Sequence, residues 1–174
     1  MRSSDLTPLA RDVMRNPASG GYVIASFFAA YVLAVMPASG TWLLARPDFV
    51  LLVLVYWALH GPRHVGQGIA FALGLLMDVS DSMLLGQHAF AYVIAVFGAQ
   101  VLRVRILAFP FPAQTLHVAG IFMVAALVML LLNLLLGAEF PGLAFFISPL
   151  LTALLWGPAS WVLAMRRSRS ESPT

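Results

Sequence analysis

Asp78 and Asp81 stand three positions apart in the stretch GLLMDVSDSMLLGQH, residues 74–88, with Gln87 and His88 at its end. Two carboxylates and a histidine could hold a divalent cation or serve as general acid and base. Either chemistry needs a further group and a cleft, and the stretch supplies only Gln87 and His88. A third reading makes the stretch the end of one helix and the start of the next, with Gly86 as the break and Asp81 or Ser82 capping the second helix. Under that reading Asp81 is a loop or cap residue. Asp78, still attached to an apolar helix, either contacts another helix or a partner, or is simply solvated.

Other groups lend the two aspartates little catalytic support. His60 and His64 are four apart, but Gly61 and Pro62 between them make a turn, and no third ligand is near. Arg46 and Asp48 are a second charged pair, free to join each other or Asp78. There is no cysteine, which removes thiolate chemistry and cysteine metal sites. No G-x-S-x-G, H-E-x-x-H or phosphate-binding loop occurs, and serine, threonine, aspartate and histidine never gather into a nucleophile constellation. An intramembrane hydrolase therefore lacks a nameable nucleophile and base, and no catalytic, metal or cofactor-binding residue is assigned.

The elements that must position these groups are apolar. Of 174 residues, 61% are hydrophobic and 10% charged, against about 25% charged in a soluble domain. Too little polar surface exists to cover a water-soluble globule, so lipid must cover much of it. The spacing predicts an all-α integral membrane protein, a bundle of six transmembrane helices near 20–36, 48–60, 65–79, 83–102, 115–137 and 142–165. Residues 1–19 and 166–174 read as polar cytoplasmic tails. The first helix has a basic leader but no small-residue cleavage site after it, and reads as uncleaved. The second and third segments are shorter than the roughly 20 residues that span ~30 Å of hydrocarbon. As a re-entrant hairpin they would carry Arg63 to mid-membrane at a cost of about 2.5–3.5 kcal/mol, so two short helices packed within the bundle are expected.

All ten basic residues are arginine, and six spans sort them sharply. With both termini cytoplasmic, nine of the ten face inward and only Arg46 faces outward, beside Asp48, Asp78, Asp81 and Glu139. That asymmetry follows the positive-inside rule and explains the net charge of +3 without nucleic acid. Trp42, Trp57, Trp156 and Trp161 fall near segment ends, as an interfacial belt would. Gly66, Ala70, Gly74 and Asp78 recur every four residues, a small-residue ridge that lets helices approach closely in lipid. Asn133, deep in the fifth segment, is expected to hydrogen-bond another helix.

Residues 46–97 and 103–118 resemble the rod shape-determining protein MreD family. The likeness rests on Arg46-Pro47-Asp48, Tyr56-Trp57-Ala58-Leu59 with Pro62 after it, Gly74-Leu75-Leu76-Met77-Asp78, Leu85-Gly86-Gln87-His88, and a basic Arg103-x-Arg105 turn followed by a phenylalanine–proline loop. It implies a multi-pass, non-enzymatic component of the bacterial inner membrane, acting in the elongation machinery. The implied partners are MreC, the actin homologue MreB, RodA and penicillin-binding protein 2, with membrane lipid around it and room for a homo-oligomer. The family's bundle is similar to the substrate-binding subunit of energy-coupling-factor transporters, which makes a small-molecule-binding membrane subunit the alternative function. Contacts with partners are expected from Arg46, Asp48, Asp78, Gln87 and His88, with Gly66, Ala70 and Gly74 as packing positions.

Overall fold

The computed structural model describes residues 19–36, 46–61, 65–82 and 85–169, with side chains as far as residue 165. The helices are α1 (Gly20–Val35), α2 (Phe49–His60), α3 (Gln67–Ser80), α4 (Gln87–Ala108) and α5 (Phe111–Leu135). A single 3-10 turn (Leu143–Phe146) then leads into α6 (Ile147–Leu154) and α7 (Trp156–Arg169). Expectations for residues 1–18, Trp42, the turn at 62–64 and the last five residues concern positions outside the described residues.

Local chemistry sets the boundaries. The Asp48 side chain accepts the Leu51 N–H at 2.8 Å and starts α2, a strong N-cap arrangement. Pro112 opens α5, where a missing N–H costs nothing. The sixth apolar run divides at Leu155 because the Pro158 ring conflicts with the carbonyl of Leu154, four residues earlier. Arg103 and Arg105 do not form a turn: α4 continues through them to Ala108. Basic side chains suit the last turns of a helix, and Arg103 Nε donates to the carbonyl of Leu59 near the end of α2. The expected loop shrinks to Phe109 and Pro110.

Helix α2 lies at the centre, packed against α1, α4, α6 and α7. Its sequence FVLLVLVYWALH is apolar all round, the mark of a helix surrounded by protein, and every residue from Val50 to Leu59 is at most 8% exposed. At 12 residues it is only about 18 Å long, which full enclosure makes tolerable. Trp57 is accordingly no belt residue: it is fully buried and its Nε1 donates to Ser26 Oγ at 2.9 Å. Trp156 is likewise buried, whereas Trp161 is exposed.

Around this centre α4 packs on α3 and α5, and α5 on α6. Three segments are long and apolar enough to cross a membrane, Gln87–Ala108, Phe111–Leu135 and Leu143–Met165; three apolar helices are shorter. Ile24, Phe28, Val104, Leu116 and Leu135 are exposed, a surface suited to acyl chains rather than water. Among the described glycines the tightest approach is at Gly74, between α3 and α4. A Cβ there would lie 2.3 Å from the Ala89 Cα, so only glycine fits. Ala70 is fully buried, but Gly66 is not part of the ridge: it is the N-cap of α3 and a Cβ there would meet nothing within 4 Å.

Candidate functional site

Six helix ends converge at one end of the bundle: the last turns of α1, α3 and α5 and the first turns of α2, α4 and α6. Alternating helix directions bring these ends together, and with them residues separated by up to about a hundred positions in sequence. Asp78, in the last turn of α3, is fully buried. Its Oδ2 accepts the Gly86 N–H at 2.8 Å and the Ala89 N–H at 3.4 Å, and its Oδ1 accepts the His88 N–H at 2.8 Å. These are orphan donors of a helix N-terminus. The cap of α4 is therefore supplied from α3 by Asp78 and not, as expected, by Asp81 or Ser82. Gly86, whose φ of 102° is left-handed, turns the chain so that its own N–H points at the carboxylate. A carboxylate near a helix N-terminus is also favoured by the helix dipole.

His88 Nδ1 lies 2.9 Å from Asp78 Oδ1, and Nε2 lies 4.0 Å from Asp81 Oδ2. Asp81 in turn bonds Arg46 at 2.8 Å. The two aspartates thus have separate duties: Asp78 organises a helix start, while Asp81, the C-cap of α3, holds the incoming strand of chain through Arg46. Of the partners open to Arg46, neither Asp48 nor Asp78 is taken. Asp48 receives the Tyr92 hydroxyl, 2.8 and 2.7 Å from its two oxygens, besides the Leu51 N–H. Its own N–H donates to Thr152 Oγ1 at 2.9 Å, and Ser148 Oγ donates to the Arg46 carbonyl at 2.6 Å. Polar groups of α2, α3, α4 and α6 are joined in one network.

A cavity of about 510 Å³ opens between these ends, walled by Leu51, Met77, Phe122, Met129 and Phe145 and edged by Arg46, Asp48, Asp81 and His88. Gln87 does not face it. That side chain is buried toward α5, donating to the Met129 carbonyl at 3.4 Å. Asn133 lines the cavity instead of bridging helices; no hydrogen bond of its side chain to another helix is found among the described residues. Tyr92, Ser148 and Thr152 were not singled out from sequence. Tyr92 follows His88 by one helical turn, so the i, i+4 spacing was the available signal. Ser148 and Thr152 share that spacing but sit in generic leucine-rich sequence.

Around His88 the described residues form carboxylate contacts and no nucleophile–base pair. His88 directs its nitrogens toward carboxylates, and no serine or threonine hydroxyl bonds its ring among the described residues. No cluster of three or more metal-ligating acidic or histidine groups is found among them either. The Arg46–Asp81 pair is partly exposed, at 23% and 25%, and a pair of that kind contributes about 1 kcal/mol or less. Arg46→Met and Asp81→Asn are therefore each expected to lower the melting temperature of the detergent-solubilised protein by no more than about 4 °C. A loss well beyond that in either variant would give the pair a larger structural role.

Comparison with known proteins bears on the whole bundle. The family model for rod shape-determining protein MreD matches residues 19–165. Rod shape-determining protein MreD of Haemophilus influenzae (strain ATCC 51907 / DSM 11121 / KW20 / Rd) is 39% identical over 69 residues, covering 39% of this chain and 43% of that protein. The match thus spans less than half the length of that relative. No solved structure matches the chain. Since the family model covers most of the chain and contains every residue of the polar network, the chain belongs to the rod shape-determining protein MreD family.

Proposed function

We propose that this protein is a non-enzymatic scaffold of the bacterial inner membrane, with both termini cytoplasmic. In this reading it binds MreC and couples the MreB cytoskeleton to lateral wall synthesis by RodA and penicillin-binding protein 2. Membership of the family gives it a role in rod-shape determination. The observation that carries the scaffold reading is the open, apolar-walled cavity at the converging helix ends, edged by charged groups held rigidly by a bonded network. A rigid concave site with a few placed polar groups is what recognition requires. The charge asymmetry of the two ends supports the orientation.

The test is complementation of a depleted strain with full-length His88→Ala. His88 edges the cavity while its backbone N–H can still bond Asp78. Rounded cells and a loss of MreC co-purification, with membrane levels unchanged, are expected. Rod-shaped cells that retain MreC would overturn the site assignment.

The same cavity favours a second reading, a small-molecule-binding membrane subunit. Side chains leave about 510 Å³ unfilled, within the range of small-molecule sites. Native mass spectrometry of the protein released from membranes would detect a stoichiometric ligand under this reading and none under the scaffold reading.

A further inference from the structure

At the cavity end the charges do not balance. Asp48, Asp78 and Asp81 meet there with one obligate cation, Arg46, and one histidine. Arg46 is committed to Asp81 at 2.8 Å and the His88 ring to Asp78 at 2.9 Å. Asp48 receives only neutral donors, the Tyr92 hydroxyl and the Leu51 N–H.

Among the described residues no further lysine or arginine stands at this end. The chain contains no lysine, and residues 37–45 and 83–84 include no arginine. Of the other described arginines, Arg103 and Arg105 lie in the last turns of α4 and Arg166, Arg167 and Arg169 in the last turns of α7, at the opposite side of the bundle. A carboxylate facing an apolar-walled cavity, whose only cationic neighbour is a His88 ring already bonded to Asp78, is costly, and a cation placed there gains correspondingly.

Resting on the scaffold reading, we propose that the cavity receives one lysine or arginine side chain carried by an apolar segment of a partner membrane protein, with its cationic group against Asp48. The occupant is a protein segment because the walls are apolar and the cavity opens among the helix ends, where a neighbouring helix terminates. Leu51, Met77, Phe122 and Phe145 would contact the stem and its flanking side chains. Asp48 and Asp81 would select for a base and repel an acidic segment, giving specificity by charge as well as shape.

The test uses full-length protein in living cells, with a photoreactive phenylalanine analogue at position 145, followed by sequencing of the crosslinked peptide. The expected adduct is an apolar segment of another membrane protein with a lysine or arginine within about one helical turn of the crosslink. Asp48→Asn retains an N-cap and the hydroxyl bond of Tyr92, and should reduce the adduct on the order of tenfold or more. A second arm combines Asp48→Arg with an acidic residue at the identified basic position of the partner, and recovery of the adduct is expected. An adduct with a segment lacking a basic residue, an adduct with lipid or a small amine, or an undiminished adduct in Asp48→Asn overturns the inference. In the first and last of these cases partner binding survives, and the scaffold reading with it. Absence of any protein adduct together with loss of co-purifying partners removes both.

Discussion

Gly74→Ala is expected to destabilise the bundle by at least about 3 kcal/mol and to lower the melting temperature of the detergent-solubilised protein by about 6–12 °C. The added methyl would lie 2.3 Å from the Ala89 Cα, 2.5 Å from the Ala89 nitrogen and 2.7 Å from the His88 carbonyl carbon. Carbon atoms make favourable contact at about 3.5–4.0 Å, and all three obstacles are backbone, so no rotamer change relieves them. Helices α3 and α4 would have to separate by more than an ångström. Asp78 follows Gly74 by one turn and bonds the N–H groups of Gly86 and His88 at 2.8 Å. Separation on that scale carries those bonds beyond hydrogen-bonding range. Gly68→Ala is the control. It lies on the same helix, exposed, with nothing within 4 Å of an added Cβ, and alanine favours the helix by up to about 1 kcal/mol. Melting temperatures for the two variants within about 2 °C of each other would refute the close approach.

What sequence could and could not show divides along a physical line. Apolar length depends on the solvent, so the six apolar segments and the break at Gly86 were readable. Enclosure was not, since α2 is buried on all sides whereas α3 packs chiefly on α4 and leaves Phe71 and Val79 exposed. Spacing also exposed the ridge at Ala70 and Gly74, although it extended the ridge one step too far, to Gly66. Partner choice among charges was not readable, because Arg46, Asp48, Asp78 and Asp81 are brought together only by the packing of four helices. A cap donated by a neighbouring helix leaves no local signature, since capping rules relate a residue to the turn that follows it in sequence. That is why Asp81 looked like the cap of α4, while Asp78 was readable as a contact with another helix or a partner but not as a cap. Trp57 misled for a related reason: a tryptophan near a segment end is interfacial only if its helix faces lipid, and α2 does not. The Arg103–Arg105 pair ended an apolar run without ending the helix, because long basic stems reach the interface while the backbone continues.

Asp78→Ala is expected to cost about 3–5 kcal/mol, the scale for removing one member of a buried charged set. It would leave the N–H groups of Gly86, His88 and Ala89 without their acceptor and strip the His88 ring of its bonded partner. An ordinary N-cap deletion costs only about 0.5–2 kcal/mol, because water then reaches the freed groups. Here the carboxylate has no exposed surface, and water does not replace it. Asp78→Asn separates charge from geometry: the amide oxygen can still accept N–H donors, but the charge that favours the α4 dipole and holds the His88 ring is gone. Its loss is expected to be intermediate, about 1–3 kcal/mol. Melting temperature of the purified protein, with hydrogen exchange at residues 86–89, reads both effects. Faster exchange confined to the first turn of α4 is expected in Asp78→Asn, and collapse of protection across α3 and α4 in Asp78→Ala. If Asp78→Ala melts within about 2 °C of the unmodified protein, the carboxylate does not hold the first turn of α4, and His88 needs another explanation for its orientation toward the cavity.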